Sequence, residues 1–214
     1  MTAAALHADR RNALAALALA LLAAGAAQAQ PRGMQARIEA TVEGYGNLAP
    51  RGTDKPIRLT LRTGADGMRA DFHFDSGSSD VYLLKRYDEP RAWWISPRGR
   101  YMIPANDASG PYWYDMRRPC DSVQGRCSPA PGEFIAGRLA RGLNYDHARR
   151  GPDGTTRGTL WIDSETGLLL AYRGTRGNRQ DSRSFRASRV SYEPLDAAAY
   201  ARPDALNTPK GMAD

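Results

Sequence analysis

The chain has 214 residues, of which 42% are hydrophobic and 25% are charged, and its formal net charge is +7. This length allows one domain, or one domain with a tail. The 30 basic residues are dispersed along the chain, mostly at alternate positions of predicted strands, which indicates a solvated sheet face. Nucleic acid is therefore excluded as a partner, whereas peripheral contact with an anionic membrane stays open.

The first 29 residues have the layout of a secretory signal peptide. Arg10-Arg11 is a charged start, an Ala/Leu-rich run follows at 13–24, and Ala27-Gln28-Ala29 is a small-x-small cleavage site. At about 12 residues the apolar run is shorter than the roughly 20 that span a bilayer. We predict cleavage after Ala29 and a periplasmic mature protein, with the general and twin-arginine export routes left open. The predicted domains are a signal peptide at 1–29, one folded domain at 30–203 and a frayed tail at 204–214.

Six short strands are predicted in the first half of the mature chain, the first three because apolar residues occupy alternate positions and the other three because short apolar runs lie between turns. In the first strand Ala36, Ile38, Ala40 and Val42 alternate with polar residues. Segments rich in Gly, Pro, Asn and Asp separate the strands. The predicted strands cover residues 35–43, 57–62, 68–75, 81–86, 92–95 and 101–103.

The stretch 104–132 loses this alternation and contains both cysteines of the chain, Cys120 and Cys127. An even cysteine count in an oxidising compartment predicts a structural disulfide. The spacing is too wide for a CxxC redox site, and no His or further Cys lies nearby to complete a metal site. We therefore expect a long loop or lid that is cross-linked by this disulfide.

The last part of the chain is predicted to be a short helix followed by further strands. The helix is expected from the apolar spacing of Phe134, Ile135, Leu139 and Leu143. The strands cover 143–149, a hairpin at 159–172 and 183–192, and a final helical turn at 195–200 is capped by Asp196. Asp163, Ser164 and Glu165 are expected at the hairpin tip, in water, where Asp163 would have an ordinary pKa.

Short, evenly spaced strands joined by tight turns predict an all-β antiparallel meander with minor helix, closed or nearly closed into a barrel. Its apolar faces would enclose a packed core or an apolar cavity. The candidate lining residues are the large apolar residues of the predicted inward positions. They are Ile38, Val42, Leu59, Leu61, Phe72, Phe74, Leu83, Trp94 and Trp161.

Short sequence motifs in the hairpin, in the sixth strand and near the C-terminus are typical of a known family. They are Trp161-Ile162-Asp163 with Thr166-Gly167-Leu168-Leu169-Leu170, Phe185-Arg186-Ala187-Ser188-Arg189-Val190-Ser191-Tyr192, Pro194-Leu195-Asp196-Ala197-Ala198 with Tyr200 and Pro203, and Tyr101-Met102-Ile103-Pro104 after Trp93-Trp94-Ile95. On these residues, which span most of the mature chain, the sequence resembles the periplasmic outer-membrane lipoprotein-sorting family (LolA/LolB-like) and related exported domains of unassigned function.

The resemblance implies an open half-barrel over an apolar cavity, with a short helix or loop as its lid. It further implies a non-catalytic binding protein whose ligand is an acyl chain or a lipid-modified protein. No catalytic residue, cofactor or metal is implied, and His73 and His147 have no partner at a spacing typical of metal ligands. The oligomeric state stays open.

Two alternatives come from other classes of protein. Asp75-Ser76-Gly77, after an apolar strand, resembles the active-site turn of aspartic peptidases, and Ile135-Ala136-Gly137 would support it. That chemistry needs two aspartates that share a proton, so a chain with one such turn would act as a homodimer. The same residues are typical of an ordinary hairpin turn. The third hypothesis is an envelope scaffold that binds another protein and holds no ligand.

Overall fold

A computed structural model of the chain describes residues 34–45, 55–74, 81–105, 110–177 and 182–203. The predicted signal peptide, the tail at 204–214 and the Asp75-Ser76-Gly77 turn lie outside the described residues. The proposed domain boundaries therefore stay predictions. No helix in the part of the chain that is described has the length and apolar character needed to cross a bilayer.

The described residues form eleven strands, all paired antiparallel in one sheet. The strands are β1 (Ala36–Glu43), β2 (Ile57–Thr63), β3 (Gly67–His73), β4 (Val81–Arg86), β5 (Ala92–Ser96), β6 (Tyr101–Ala105), β7 (Arg126–Ile135), β8 (Arg138–Asp146), β9 (Arg157–Asp163), β10 (Leu169–Thr175) and β11 (Ser182–Ser191). A five-residue helix, α1 (Pro119–Val123), precedes β7. Two 3-10 turns cover Pro152–Gly154 and Ala197–Tyr200, and Asp196 caps the second as predicted, by accepting a hydrogen bond from Ala198 N.

The sheet consists of two meanders that join where β1 pairs with β11, in the order β6-β5-β4-β3-β2-β1-β11-β10-β9-β8-β7. Strands β6 and β7 are its edges and do not pair with each other, so the barrel is open. The predicted all-β meander and open half-barrel are confirmed. Pro104 in β6 and Pro129 in β7 remove backbone donors from the two edges, which disfavours further strand pairing there.

Alternation along the strands gives the sheet an inner face, which we define as the face bearing Ile38, Leu61 and Phe185. All three are at most 2% exposed and belong to the large apolar core cluster. A second, smaller cluster lies on the outer face of β4–β6, because Tyr82, Leu84 and Ile95 occupy the other set of positions. The C-terminal 3-10 turn covers this cluster with Tyr200. Strand β4 is therefore apolar on both faces.

The helix predicted from Phe134 to Leu143 is wrong, because these residues form the β7–β8 hairpin. Ala136 and Gly137 both have positive φ, of 50° and 76°, which is typical of a two-residue type I′ turn. Phe134 and Leu139 are cross-strand partners near the tip and are 74% and 54% exposed. The spacing that predicted a helix therefore comes from two strands joined by a two-residue turn. The strand expected at 143–149 begins at Arg138.

Candidate ligand-binding face

Eight of the nine predicted lining residues share the inner face. Five of them, Ile38, Val42, Leu59, Leu61 and Phe72, are fully buried in the core cluster. The register pairs Leu59 with Phe72 and Leu83 with Trp94, which puts β2–β5 residues on one face. Phe74, Leu83 and Trp94 are only partly buried and pack against the same cluster.

Trp161 is the exception among the predicted lining residues. Its strand neighbours Leu160 and Ile162 are 0% exposed in the core, and successive side chains of a strand point to opposite faces. Trp161 therefore lies on the outer face, where it pairs with Ala171 and Gly142. Its indole Nε1 donates a hydrogen bond to Pro131 O over 3.2 Å.

The predicted lid contains a buried segment, Tyr112–Tyr114, which we call the aromatic strap. Leu169 N donates to Tyr112 O and Tyr114 N donates to Gly167 O, each over 2.8 Å, so the strap is fixed by backbone hydrogen bonds beside β10. Trp113 Nε1 donates to Thr63 Oγ1 at the end of β2 over 3.2 Å. The three aromatic side chains are 4–7% exposed, so they fill this part of the inner face as core.

Beyond the strap, the inner face of β3–β5 carries partly buried apolar side chains. Phe74, Val81, Leu83 and Trp94 all pack against the core cluster without being fully covered. The Trp94 and Phe72 rings lie 5.4 Å apart, and Phe72 is in turn 5.7 Å from Tyr45. This apolar wall, which we define by Phe74, Val81, Leu83 and Trp94, is the candidate ligand-binding face.

A polar cluster borders the apolar wall at Tyr45. Tyr45 and Tyr172 both donate hydrogen bonds from their hydroxyls to the Asp153 carboxylate, and the two phenol oxygens are 3.1 Å apart. The Arg183 guanidinium lies 4.7 Å from the centre of the Tyr45 ring. The sequence alone did not single out this cluster, because Asp153 occurs in a Gly-Pro-Asp-Gly turn that favours an exposed loop.

Burial sets the ionisation of this cluster. It raises the pKa of Asp153, although hydrogen bonds from Tyr172 and Tyr45 and the charges of Arg183 and Arg176 act in the opposite direction. Burial, and then the negative charge of Asp153, raise the pKa of Tyr45 and Tyr172 well above the ordinary value. Both phenols therefore stay protonated and act as donors to Asp153.

Asp163, expected in water at the hairpin tip, is 1% exposed, so that prediction is wrong. Its carboxylate accepts hydrogen bonds from the Arg138 guanidinium, from the Tyr192 hydroxyl over 2.9 Å and from Glu165 N over 2.9 Å. Burial raises the pKa of Asp163, but the bonds from Arg138, Glu165 N and Tyr192 outweigh it and hold that pKa below the ordinary value. This network fixes the β9–β10 turn.

The lid segment carries the predicted disulfide, which joins Cys120 in α1 to Cys127 in β7. Within the described ranges, no group of three or more His, Cys, Asp or Glu side chains could hold a metal ion. The Asp75 turn of the peptidase hypothesis falls in the gap between 74 and 81. Ile135-Ala136-Gly137, its expected support, forms the β7–β8 turn instead.

Comparisons with known proteins show a likeness in fold. No protein-family model matches the chain, and neither does any curated protein. Among solved structures, an uncharacterised conserved protein from Thermus thermophilus has a TM-score of 0.53 and 8% identity, over 81% of this chain and 88% of that one. The Pseudomonas aeruginosa MucA/MucB complex gives a TM-score of 0.47 and 14% identity, over 81% of this chain but 57% of the matched one.

A LolA-superfamily protein from Nitrosomonas europaea has a TM-score of 0.38 and 9% identity, over 80% of this chain and 90% of that one. LolA-superfamily proteins are thus among the structural neighbours, as predicted from the sequence. At these identities the likeness concerns the fold alone.

Proposed function

We propose that this chain is an exported, non-catalytic binding protein that holds an apolar ligand, an acyl chain or the lipid of a modified protein, on the inner face of its sheet. The observation that carries the proposal is the apolar wall. Phe74, Leu83 and Trp94 point to the inner face yet are only partly buried, although fully buried residues surround them. Apolar side chains left partly in water beside a packed core favour an apolar ligand.

An acyl chain gains binding free energy from each methylene that it buries. Burying an acyl chain contributes about 0.8 kcal/mol per methylene, so six methylenes against the wall would contribute about 5 kcal/mol. This function needs no nucleophile or general base. Export is supported by the charged start, apolar run and small-x-small site of residues 1–29.

A matched pair of tryptophans provides the test. Trp94 and Trp161 are both partly buried on the same sheet, but Trp94 is on the apolar wall and Trp161 is on the outer face. We expect Trp94→Ala to weaken binding of a fluorescent C16 fatty acid about tenfold, because it removes a large contact surface. Trp161→Ala should leave the affinity unchanged. Denaturant unfolding of both variants controls for loss of fold, and mass spectrometry of the purified wild-type protein detects co-purified lipid.

Equal weakening by both substitutions, or no binding by the wild-type protein, would contradict the proposal. The absence of both co-purified lipid and fatty-acid binding would favour the scaffold hypothesis. Acid protease activity that depends on Asp75 would favour the peptidase hypothesis.

A further inference from the structure

An arginine on the inner face of the sheet has no anionic partner. Arg183 is two positions from Phe185 in β11, and alternate side chains of a strand share a face, so both point to the inner face. Phe185 is buried, whereas Arg183 stays partly exposed. Among the residues that the structure describes, none forms a hydrogen bond or ion pair with Arg183, and its Nε is covered without a partner. A positive charge therefore borders the apolar core without an anion to balance it.

The Tyr45 ring connects Arg183 to the apolar wall. The guanidinium carbon lies 4.7 Å from the centre of that ring, which is itself 5.7 Å from the Phe72 ring. Phe72 is in turn 5.4 Å from Trp94 and is the cross-strand partner of Val81, and both of these residues belong to the wall. A row of three aromatic rings therefore leads from the charge to the wall.

The buried acid of the neighbouring polar cluster does not pair with Arg183. Asp153 instead accepts hydrogen bonds from the hydroxyls of Tyr45 and Tyr172. Burial raises the pKa of Asp153, which disfavours its negative charge, and Arg176 places a second positive charge near this carboxyl. The balance of charge at this end of the inner face is therefore positive.

We propose that the ligand of the apolar wall carries an anionic head group, a carboxylate or a phosphate monoester, and that Arg183 binds this group. The inference rests on the function proposed above and specifies the class of its ligand. A guanidinium suits either anion because its N–H donors form paired hydrogen bonds with two oxygens. Nε is covered, so the terminal nitrogens of Arg183 would supply these donors. An acyl chain in an ester or amide linkage lacks such an anion, so a lipid-modified protein is the less favoured ligand.

The position of Arg183 in the sheet sets the length of the acyl chain. Strand β11 is followed by β1, β2 and β3 in the sheet order, and β3 contributes Phe72. At about 4.8 Å between neighbouring strands, these three spacings cover about 14 Å. Carbon–carbon bonds of about 1.5 Å in a zigzag chain then require about twelve carbons. We therefore expect a twelve-carbon chain to reach the wall from Arg183 and a six-carbon chain to fall short.

Tryptophan fluorescence of the full mature protein, titrated with single-chain probes below their micelle concentrations, tests the inference. Dodecanoate and dodecyl phosphate represent the two anions, 1-dodecanol is the neutral probe and hexanoate is the short one. Arg183→Gln removes the charge from the inner face. Arg173→Gln is the matched control, because Arg173 is an exposed arginine on the outer face of the neighbouring strand β10. Denaturant unfolding of both variants measures any loss of stability.

We expect the wild-type protein to bind dodecanoate about tenfold more tightly than 1-dodecanol, because a hydrogen bond to a charged group contributes more than one to a hydroxyl. Arg183→Gln should lower the affinity for dodecanoate about tenfold and leave the affinity for 1-dodecanol unchanged, which shows that the wall is intact. Arg173→Gln should change neither affinity. The tighter-binding anion tells whether Arg183 prefers a carboxylate or a phosphate monoester.

Equal affinities of the wild-type protein for dodecanoate and 1-dodecanol would overturn the inference and leave the proposed function standing. The same conclusion follows if Arg183→Gln weakens both probes equally or neither of them, or if hexanoate binds as tightly as dodecanoate. Failure of the wild-type protein to bind any twelve-carbon probe would contradict the proposed function itself, and the inference with it.

Discussion

The hydroxyl of Tyr192 donates a hydrogen bond over 2.9 Å to the carboxylate of Asp163, although strand β10 separates the strands that lead to them. Arg138, from β8, donates to the same carboxylate and lies 5.0 Å from the centre of the Tyr192 ring. The end of the sheet at the β9–β10 turn is therefore held by one buried acid that three elements share.

Replacing Asp163 should destabilise the fold more than replacing its neighbour in the same network. We expect Asp163→Asn to lower the free energy of unfolding by about 2 kcal/mol, because Arg138 loses its buried anionic acceptor. Glu165 also bonds to Arg138, over 2.7 Å, but its side chain is 81% exposed. Glu165→Gln should therefore cost less than about 0.5 kcal/mol. Denaturant titration of both variants measures the difference, and equal losses would contradict it.

Asp163 should also contribute a defined pH dependence of stability. Its pKa is below the unfolded value of about 3.9, so the folded state releases the proton more readily than the unfolded state. The stabilisation is fully present above that value and is lost as pH falls through the folded pKa. The gap in unfolding free energy between wild type and Asp163→Asn should stay constant from pH 7 to pH 5 and shrink below pH 4. A constant gap down to pH 2 would refute this.

Asp153 should show the opposite pH dependence. Because burial raises its pKa, the folded state binds the proton more readily, and the free energy of unfolding rises as pH falls through the folded pKa. The rise should level off below about pH 3.9, where the unfolded carboxyl is also protonated. Relative to Asp153→Asn, the wild type should therefore gain stability between pH 7 and pH 4. A relative loss over that range would show that the Tyr45, Tyr172 and Arg183 contacts dominate instead.

The aromatic strap should behave as core. Trp113→Ala is expected to lower the free energy of unfolding by about 3–5 kcal/mol, because the indole is 7% exposed and its removal leaves a cavity. Thr63→Val keeps the shape of the acceptor side chain but leaves Trp113 Nε1 unpaired, at a cost of about 1–2 kcal/mol. Thermal and denaturant unfolding measure both. A loss below about 1 kcal/mol for Trp113→Ala would indicate a detachable lid.

Two glycines of strand β8 and its hairpin should respond differently to alanine. A Cβ on Gly142 would lie 2.1 Å from Pro131 O, a backbone atom that cannot move aside by a rotamer change. A Cβ on Gly137 meets nothing within 4 Å, and only its φ of +76° disfavours alanine. We expect Gly137→Ala to cost about 1 kcal/mol and Gly142→Ala clearly more, about 3 kcal/mol. Calorimetry or denaturant titration gives the order, and the reverse order would contradict the close approach of β7 to β8.

The disulfide should contribute modestly to stability. Cys120 and Cys127 are separated by seven positions, so the bridge closes a short loop and restricts the unfolded chain only slightly. Replacing both with Ser should lower the free energy of unfolding by about 2 kcal/mol. The variant and the wild type should unfold alike in the presence of a reductant. If the variant has a lower free energy of unfolding than the wild type even under reducing conditions, the loss instead indicates a packing defect.

Alternation predicted strands β1–β3, and short apolar runs between turns predicted β4–β6, with ends within two residues of those observed. One face of β1–β3 is buried, so apolar residues recur there at every second position, whereas β4 and β5 pack apolar residues on both faces. Strand β7 was not predicted from the sequence, because Pro129 and Pro131 interrupt its pattern. Its register also shifts between Ala130 and Glu133. As an edge strand it has little burial, so its sequence carries no alternating pattern.

The polar networks were not predictable in the same way. Asp163 lies 25 positions from Arg138 and 29 from Tyr192, and Asp153 lies 108 from Tyr45. Each acid occurs in a turn-forming sequence, for which solvent exposure is the ordinary expectation. Only the pairing of distant strands brings their partners close enough to bury them.

The sequence by itself determined the strands of an all-β meander, the two sides of most strands and the pairing of the two cysteines, because these depend on local periodicity and composition. The tertiary structure decided which part of the inner face is filled and which is left as the apolar wall. A periodic pattern indicates which face of a strand is buried but not which residues cover that face. That outcome depends on Tyr112–Tyr114 forming backbone bonds with Gly167 and Leu169, more than 50 positions along the chain.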